Sequence, residues 1–252
     1  MMALKKIENK AALVTGGSRG IGSAIVRRLV SEGWHVGFTY HHHETVAQNL
    51  IVELRNTIHP QQEIRAYRAN LIDENTISRL PEKMIADFGR LDALVNNAGI
   101  TDDGAFLTMD STRWQRILHA NFTGTACLCL AAIPALLRQT HSAIVMMASL
   151  AGVTGKEGQV SYATSKGALI GLTQYLGRRY GVNGLRVNAI APGFVRTAML
   201  DALAPEMIQH IIAGTALQRM GEAYEIAAVV QFLLEPVYLQ STTLRVDGGF
   251  KR

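Results

Sequence analysis

Ala11-Ala12-Leu13-Val14-Thr15-Gly16-Gly17-Ser18-Arg19-Gly20-Ile21-Gly22 runs from an apolar stretch, through a glycine turn, into a helical pattern. A short apolar run ending in glycines reads as a buried strand, and Gly20 to about Ser31 reads as the helix that follows. Glycines let the backbone turn tightly and let a diphosphate approach the helix N-terminus, where unpaired N–H groups and the dipole favour anions. A bare turn needs glycine too. It is the position of this one, inside a strand–helix–strand unit, that points to nucleotide binding.

The same alternation continues outward. Trp34 to Tyr40 reads as a strand before a helix near Thr45 to Thr57, and Ile64 to Ala69 as one before a helix near Glu74 to Asp87. Leu91 to Val95, Ser142 to Ala148, Leu185 to Ile190 and Thr243 to Val246 are further strands, with long helices between. Continuous apolar strands alternating with helices predict an α/β fold: a Rossmann-like, doubly wound parallel sheet of about seven strands, helices on both faces. Ligands of such sheets bind beyond the carboxyl ends of the strands, where every motif below falls. No repeat or linker divides the chain, so residues 1–252 are expected to form a single domain.

The 252 residues are 48% hydrophobic and 18% charged, an ordinary globular balance, with a net charge of +5. No block of Lys or Arg concentrates that charge, so nucleic acid is not the expected partner. Cys127 and Cys129, two apart, are neither a metal clip nor a redox pair and read as small buried residues. His41-His42-His43 lie adjacent on a loop, where ligands seldom converge, and no metal is expected. Met1 to Lys10 lacks a signal-peptide core, and Gly124 to Leu137 is short for a bilayer and holds Pro134. The chain is read as soluble and cytoplasmic, with no membrane partner.

Ser161-Tyr162-Ala163-Thr164-Ser165-Lys166 places a phenol and an ammonium one helical turn apart, about 5–6 Å between Cβ atoms. Free tyrosine ionises near pH ~10. A fixed ammonium beside it is expected to favour the phenolate and lower that value. With a serine hydroxyl aimed at the same carbonyl oxygen, the site would join an acid to an electrophile. Taken alone, such a pair is usually a solvated helix face.

Taken together, Gly16, Gly20 and Gly22 after Thr15, Asn96-Asn97-Ala98-Gly99, Asn121, Ser149, Tyr162, Lys166, and Pro192-Gly193 with Thr197 resemble the short-chain dehydrogenase/reductase family in order, from Lys10 to Gly249. The resemblance implies that Tyr162 is the general acid, that Ser149 holds the substrate oxygen, and that Lys166 lowers the tyrosine pKa and binds the nicotinamide ribose. Asn121 would hold a water linking Lys166 to solvent. It further implies cofactor contacts from Gly16, Ser18, Arg19, Gly20, Ile21 and Gly22; from Tyr40, His41, Asn70 and Leu71; from Asn97, Ala98 and Gly99; and from Pro192, Gly193, Val195 and Thr197. An acidic residue closing the second strand would favour a free ribose 2′-hydroxyl. Tyr40 stands there instead, and Arg19 could meet a 2′-phosphate, so NADPH is expected over NADH; otherwise Arg19 is merely solvated.

Asn96 to Thr101, Val187 to Val195, Gly158 to Tyr162 and Val246 to Gly249 look closest to the 3-oxoacyl-[acyl-carrier-protein] reductases. That likeness implies reduction of a 3-oxoacyl thioester in fatty acid, polyketide or polyene chain building. Relatives that dock acyl carrier protein carry basic residues where Thr140 and Asn183 stand here. Arg138, Arg178 and Arg179 could substitute, or be solvated. Asp102-Asp103 replaces a basic-acidic pair. Met199 to Arg219, with Met199, Leu200, Leu203, Met207, Ile208, Ile211 and Ile212, reads as a lid over a hydrophobic chain, or as a core-facing helix. Other substrates for the same machinery are a free ketone, a sugar or another secondary alcohol. A non-catalytic nucleotide-binding protein would have lost Tyr162 or Lys166, and both are present. Surplus apolar surface on the helices Gly124 to Leu137 and Gln159 to Arg179 points to subunit contacts, and relatives pair these helices in homotetramers.

Overall fold

The alternating pattern becomes β1 (Ala11–Val14), α1 (Gly20–Ser31), β2 (His35–Tyr40), α2 (Glu44–Arg55) and β3 (Ile64–Arg68). The chain continues through α3 (Glu74–Ser78), α4 (Leu80–Phe88), β4 (Ala93–Asn96), α5 (Ser111–Leu118) and α6 (Gly124–Leu136). Next come β5 (Ser142–Met147), α7 (Leu150–Thr154), α8 (Val160–Tyr180), β6 (Leu185–Pro192) and β7 (Val195–Arg196). Last are α9 (Pro205–Gly214), β8 (Gly221–Glu222), α10 (Ala223–Leu234) and β9 (Thr243–Val246). The structure is a computed structural model that describes residues 9–197, 204–236 and 238–251.

Seven strands form one parallel sheet in the order β3-β2-β1-β4-β5-β6-β9. The order reverses between β1 and β4, so the crevice above their carboxyl ends is the switch point where ligands bind such sheets. The glycine turn follows β1, and Asn97 to Gly99 follows β4. Both residue sets thus open on that crevice.

Burial on both faces explains the continuous apolar strands. Along β1, Ala12 and Val14 join one core with Val26, Phe38 and Val230, while Ala11 and Leu13 join the other with Leu94, Leu128 and Ile144. All four β1 residues are wholly buried.

Three details differ from the expectation. The single helix expected over Glu74 to Asp87 divides at Arg79, which ends α3 and begins α4. Pro81, in the first turn of α4, brings no N–H to continue α3, so the helix restarts there. Between α5 and α6, His119–Thr123 forms a π turn, closed by the Gly124 N–H on the His119 oxygen. Finally, Cys129 is buried but Cys127 is half-exposed, because positions two apart leave α6 on different sides.

Ser111–Leu136 is long and apolar enough to cross a membrane by length and composition. Leu128, Ala132 and Leu136 of this segment lie buried in the second core. Of the expected lid, Met199, Leu200 and Leu203 lie outside the described residues. α9 carries the rest: Ile211 is buried, Ile208 and Ile212 half-buried, and Met207 exposed.

Candidate active site

The glycine turn is braced from β4 and β2. Buried Thr15 accepts the Asn97 and Ala98 N–H groups on Oγ1, both at 3.0 Å. Asn97 Nδ2 donates to the oxygens of Thr15 (3.0 Å) and Gly16 (3.2 Å). The Asn97 side chain thus holds the turn. The Gly16 N–H donates to Thr39 Oγ1 at 3.0 Å. Gly16 and Gly20 have φ of 64° and 55°, a left-handed backbone that glycine adopts without strain. A Cβ on Gly22 would lie 2.1 Å from the Gly16 oxygen. Glycine is the residue that fits this packing.

The start of α1 fits a diphosphate. Its cap residue, Arg19, is extended and makes no side-chain cap, and the first turn holds no acidic residue. The first N–H groups are thus left for an anion. Ser18 is half-buried, while Arg19 is exposed and makes no ion pair among the described residues. Ile21 packs against the first core. Thr197 reaches back over the turn, its Cγ2 3.6 Å from where a Gly20 Cβ would stand.

The other cofactor residues divide by exposure. Tyr40 is buried at the end of β2, and beside it His41 is exposed with its ring centroid 3.6 Å from that of His42. Among the described residues, no three His, Cys, Asp or Glu side chains gather as metal ligands. Asn70 Oδ1 accepts the Ile72 N–H at 3.2 Å, and the Leu71 oxygen presses on Gly124, where a Cβ would come within 2.0 Å. Pro192 closes β6, the Gly193 N–H donates to the Val246 oxygen at 3.0 Å, and buried Val195 pairs with Gly221.

The catalytic candidates converge beside this cradle. A Cβ on Gly99 would lie 3.2 Å from Asn121 Oδ1 and 3.3 Å from Lys166 Nζ. Asn121 sits in the π turn, wholly buried. Its Oδ1 accepts the Ile100 N–H at 2.8 Å, and Nδ2 donates to the Ile100 oxygen (2.9 Å) and Ser165 Oγ (3.0 Å). Ser149 caps α7, its Oγ accepting the Ala151 N–H at 3.2 Å. Tyr162 and Lys166 lie in the first two turns of α8, with Nζ 5.6 Å from the Tyr162 ring centre.

Electrostatics correct one expectation. Burial pushes the Tyr162 phenol above its ordinary value, opposed by its hydrogen bond with Ser149 and reinforced by the Asp103 carboxylate. The expected lowering by Lys166 does not prevail. Lys166 is itself desolvated, held down to about 8, and its Nζ donates at 2.7 Å to the Met147 oxygen. Loss of water costs the charged forms of both groups more than their proximity returns.

Several residues of the site escaped the sequence reading. Thr15, Thr39 and Ser165 act through hydroxyls that any strand end or helix carries, so nothing marked their roles, although Thr15 and Ser165 stood inside quoted motifs. Asp103 and Gln159 stood inside quoted motifs, but their partnership was invisible at a separation of 56 residues.

The sequence model of a family described as Enoyl-(Acyl carrier protein) reductase matches residues 16–251. The chain belongs to the short-chain dehydrogenase/reductase family. Among curated relatives in this family, the 3-oxoacyl-[acyl-carrier-protein] reductase FabG of Staphylococcus aureus (strain Mu50 / ATCC 700699) is 35% identical over 95% of this chain and 97% of its own. FabG of Escherichia coli (strain K12) is 36% identical over 96% and 97%. Nodulation protein G of Rhizobium sp. (strain N33) is 35% identical over 97% and 98%. As a short-chain dehydrogenase/reductase the chain is an oxidoreductase with a nicotinamide cofactor.

Proposed function

We propose that this chain uses NADPH to reduce a 3-oxoacyl thioester, presented by acyl carrier protein, to the 3-hydroxyacyl form, in fatty acid or polyketide-type chain synthesis. One observation carries the reading: Ser149, Tyr162, Lys166 and Asn121 gather beside a glycine cradle suited to a diphosphate. The relatives named 3-oxoacyl-[acyl-carrier-protein] reductase align over nearly all of both chains.

The bound nicotinamide supplies the hydride, and the protein supplies orientation and a proton. Ser149 donates a hydrogen bond to the substrate oxygen, and Tyr162 gives that oxygen its proton. A phenol kept protonated by burial suits the reductive direction. Lys166 binds the nicotinamide ribose. Asn121 ties Ile100 to Ser165, which fixes the wall on which Lys166 lies.

Exposed Arg19, and a tyrosine in place of an acid at the end of β2, favour the 2′-phosphate, although the Glu44 carboxylate lies beside the Tyr40 phenol. The carrier's acidic surface would meet Arg138, Arg178 and Arg179, all exposed. Leu130 on α6 and Tyr175 on α8 are 75% and 63% exposed, apolar surface that suits a homotetramer built on these helices. Following NADPH oxidation with free and carrier-bound 3-oxoacyl thioesters, beside simple ketones, tests the proposal. Preference for a simple ketone would replace it with the free-ketone reading.

A further inference from the structure

Asp102-Asp103 carries none of the reaction steps above, though the Asp103 carboxylate raises the pKa of the Tyr162 phenol, and it anchors the loop after β4 in two directions. Arg113 forks onto Asp102, with Nε 3.0 Å from Oδ2 and Nη2 on Oδ1, and Arg116 Nη2 donates to Oδ2 at 3.0 Å. Two arginines of α5 thus hold this loop from behind. Asp103 faces the other way and accepts from Gln159 Nε2 at 2.8 Å. Next to it, the Gly104 N–H donates to the Gly158 oxygen at 2.8 Å, and Gly104 forms a parallel bridge with Gln159.

Gln159 is the cap residue of α8, one turn ahead of Tyr162, and makes no side-chain cap of its own. The connection from α7 contains Gly155 and Gly158, both at positive φ, with no atom within 4 Å of where their Cβ atoms would stand. Apart from Lys156, whose Nζ lies 4.9 Å from the Phe194 ring centre, this glycine connection has little packing with which to fix the helix it leads into. The tie comes from across the site.

We propose that the Asp103–Gln159 hydrogen bond is a clasp that positions Tyr162, fastening the first turn of α8 to the arginine-anchored loop after β4. Asp103 is then a positioning residue, and its kinetic effect rests on the reductase reading above. Its carboxylate adds a second effect. Tyr162 meets the Ser149 hydroxyl from the α7 cap, Lys166 from its own helix and Asp103 from the loop, with Arg113 donating to the Asp103 main-chain oxygen at 3.2 Å. A carboxylate there opposes the phenolate and keeps the proton needed for reduction.

Three variants separate the two effects. Gln159→Ala removes the donor and keeps the carboxylate, Asp103→Asn keeps an acceptor and removes the charge, and Asp103→Ala removes both. The proposal expects kcat with NADPH and a 3-oxoacyl thioester to fall about tenfold or more in Gln159→Ala and Asp103→Ala. Asp103→Asn should stay within about threefold of wild type at neutral pH. Its activity should fade at a lower pH than wild type's, because the phenol ionises sooner. Phenolate absorbance, read as the difference from the Tyr162→Phe protein, should shift the same way. Amides 158–163 should exchange hydrogen faster in Gln159→Ala.

Values of kcat within about twofold of wild type in Gln159→Ala and Asp103→Ala, with unchanged exchange, would overturn the clasp. A wild-type protein inactive on every thioester, in which Gln159→Ala still speeds exchange at 158–163, would sustain the clasp and remove the reductase reading.

Discussion

Lys166 places its Nζ 5.6 Å from the centre of the Tyr162 ring. The four-residue spacing along α8 has thus become a side-chain pair, but a dry one. Burial holds Lys166 down to about 8, from an ordinary value near 10.5. Between those values the unfolded chain keeps a proton that the folded chain has lost, so this group makes stability rise with pH across that window. Relative to a Lys166→Met protein, the wild type should gain on the order of 3 kcal/mol between about pH 7.5 and about pH 10. Urea unfolding at the two pH values measures it, and equal pH responses of the two proteins contradict the buried ammonium.

Asn121→Ala should cost both stability and rate. The wholly buried amide satisfies the Ile100 N–H and oxygen and meets Ser165. Its loss leaves the part-buried Ile100 main-chain groups without these partners, at about 2 kcal/mol. A denaturant midpoint that does not move would show that the π turn is held by something else.

Arg19→Ala should raise KM for NADPH by about tenfold or more while leaving KM for NADH nearly unchanged, as expected for loss of a charge-assisted contact with the 2′-phosphate. Parallel kinetics with the two cofactors decide it. No effect on either would return Arg19 to a solvated role, and an equal loss with both would move its contact to the diphosphate they share.

Gly22→Ala should abolish cofactor binding and destabilise the fold by about 2 kcal/mol or more, because the added methyl meets a main-chain oxygen. Fluorescence titration with NADPH and a thermal melt together check it. Wild-type affinity in this variant would mean that the turn can open without cost.

The sheet was legible because strands buried on both faces write continuous apolar runs. Thr243–Val246 matches to the residue, and the other six strands of this sheet match within two at each end, while the short β7 and β8 were not expected. The break at Arg79 was missed although Pro81 marks it, because the apolar spacing runs on through it. The π turn at Asn121 leaves no period of its own. The catalytic candidates were legible through the family resemblance, since spacing alone leaves Tyr162 and Lys166 as a solvated helix face and Ser149 as a routine strand end. Their electrostatics were not: spacing reports that Lys166 is near Tyr162, while only packing reports that Lys166 is out of water and Tyr162 half-buried. The Asp103–Gln159 contact joins distant segments through two ordinary polar residues, so it appears only once the chain is folded.

The most direct measurement is NADPH oxidation by the wild-type and Tyr162→Phe proteins with a carrier-bound 3-oxoacyl thioester, beside NADPH titrations of both. The account predicts turnover by the wild type, a loss of at least about a thousandfold in Tyr162→Phe, and nearly equal cofactor affinity. Substantial turnover by Tyr162→Phe would contradict the assignment of the proton to this phenol.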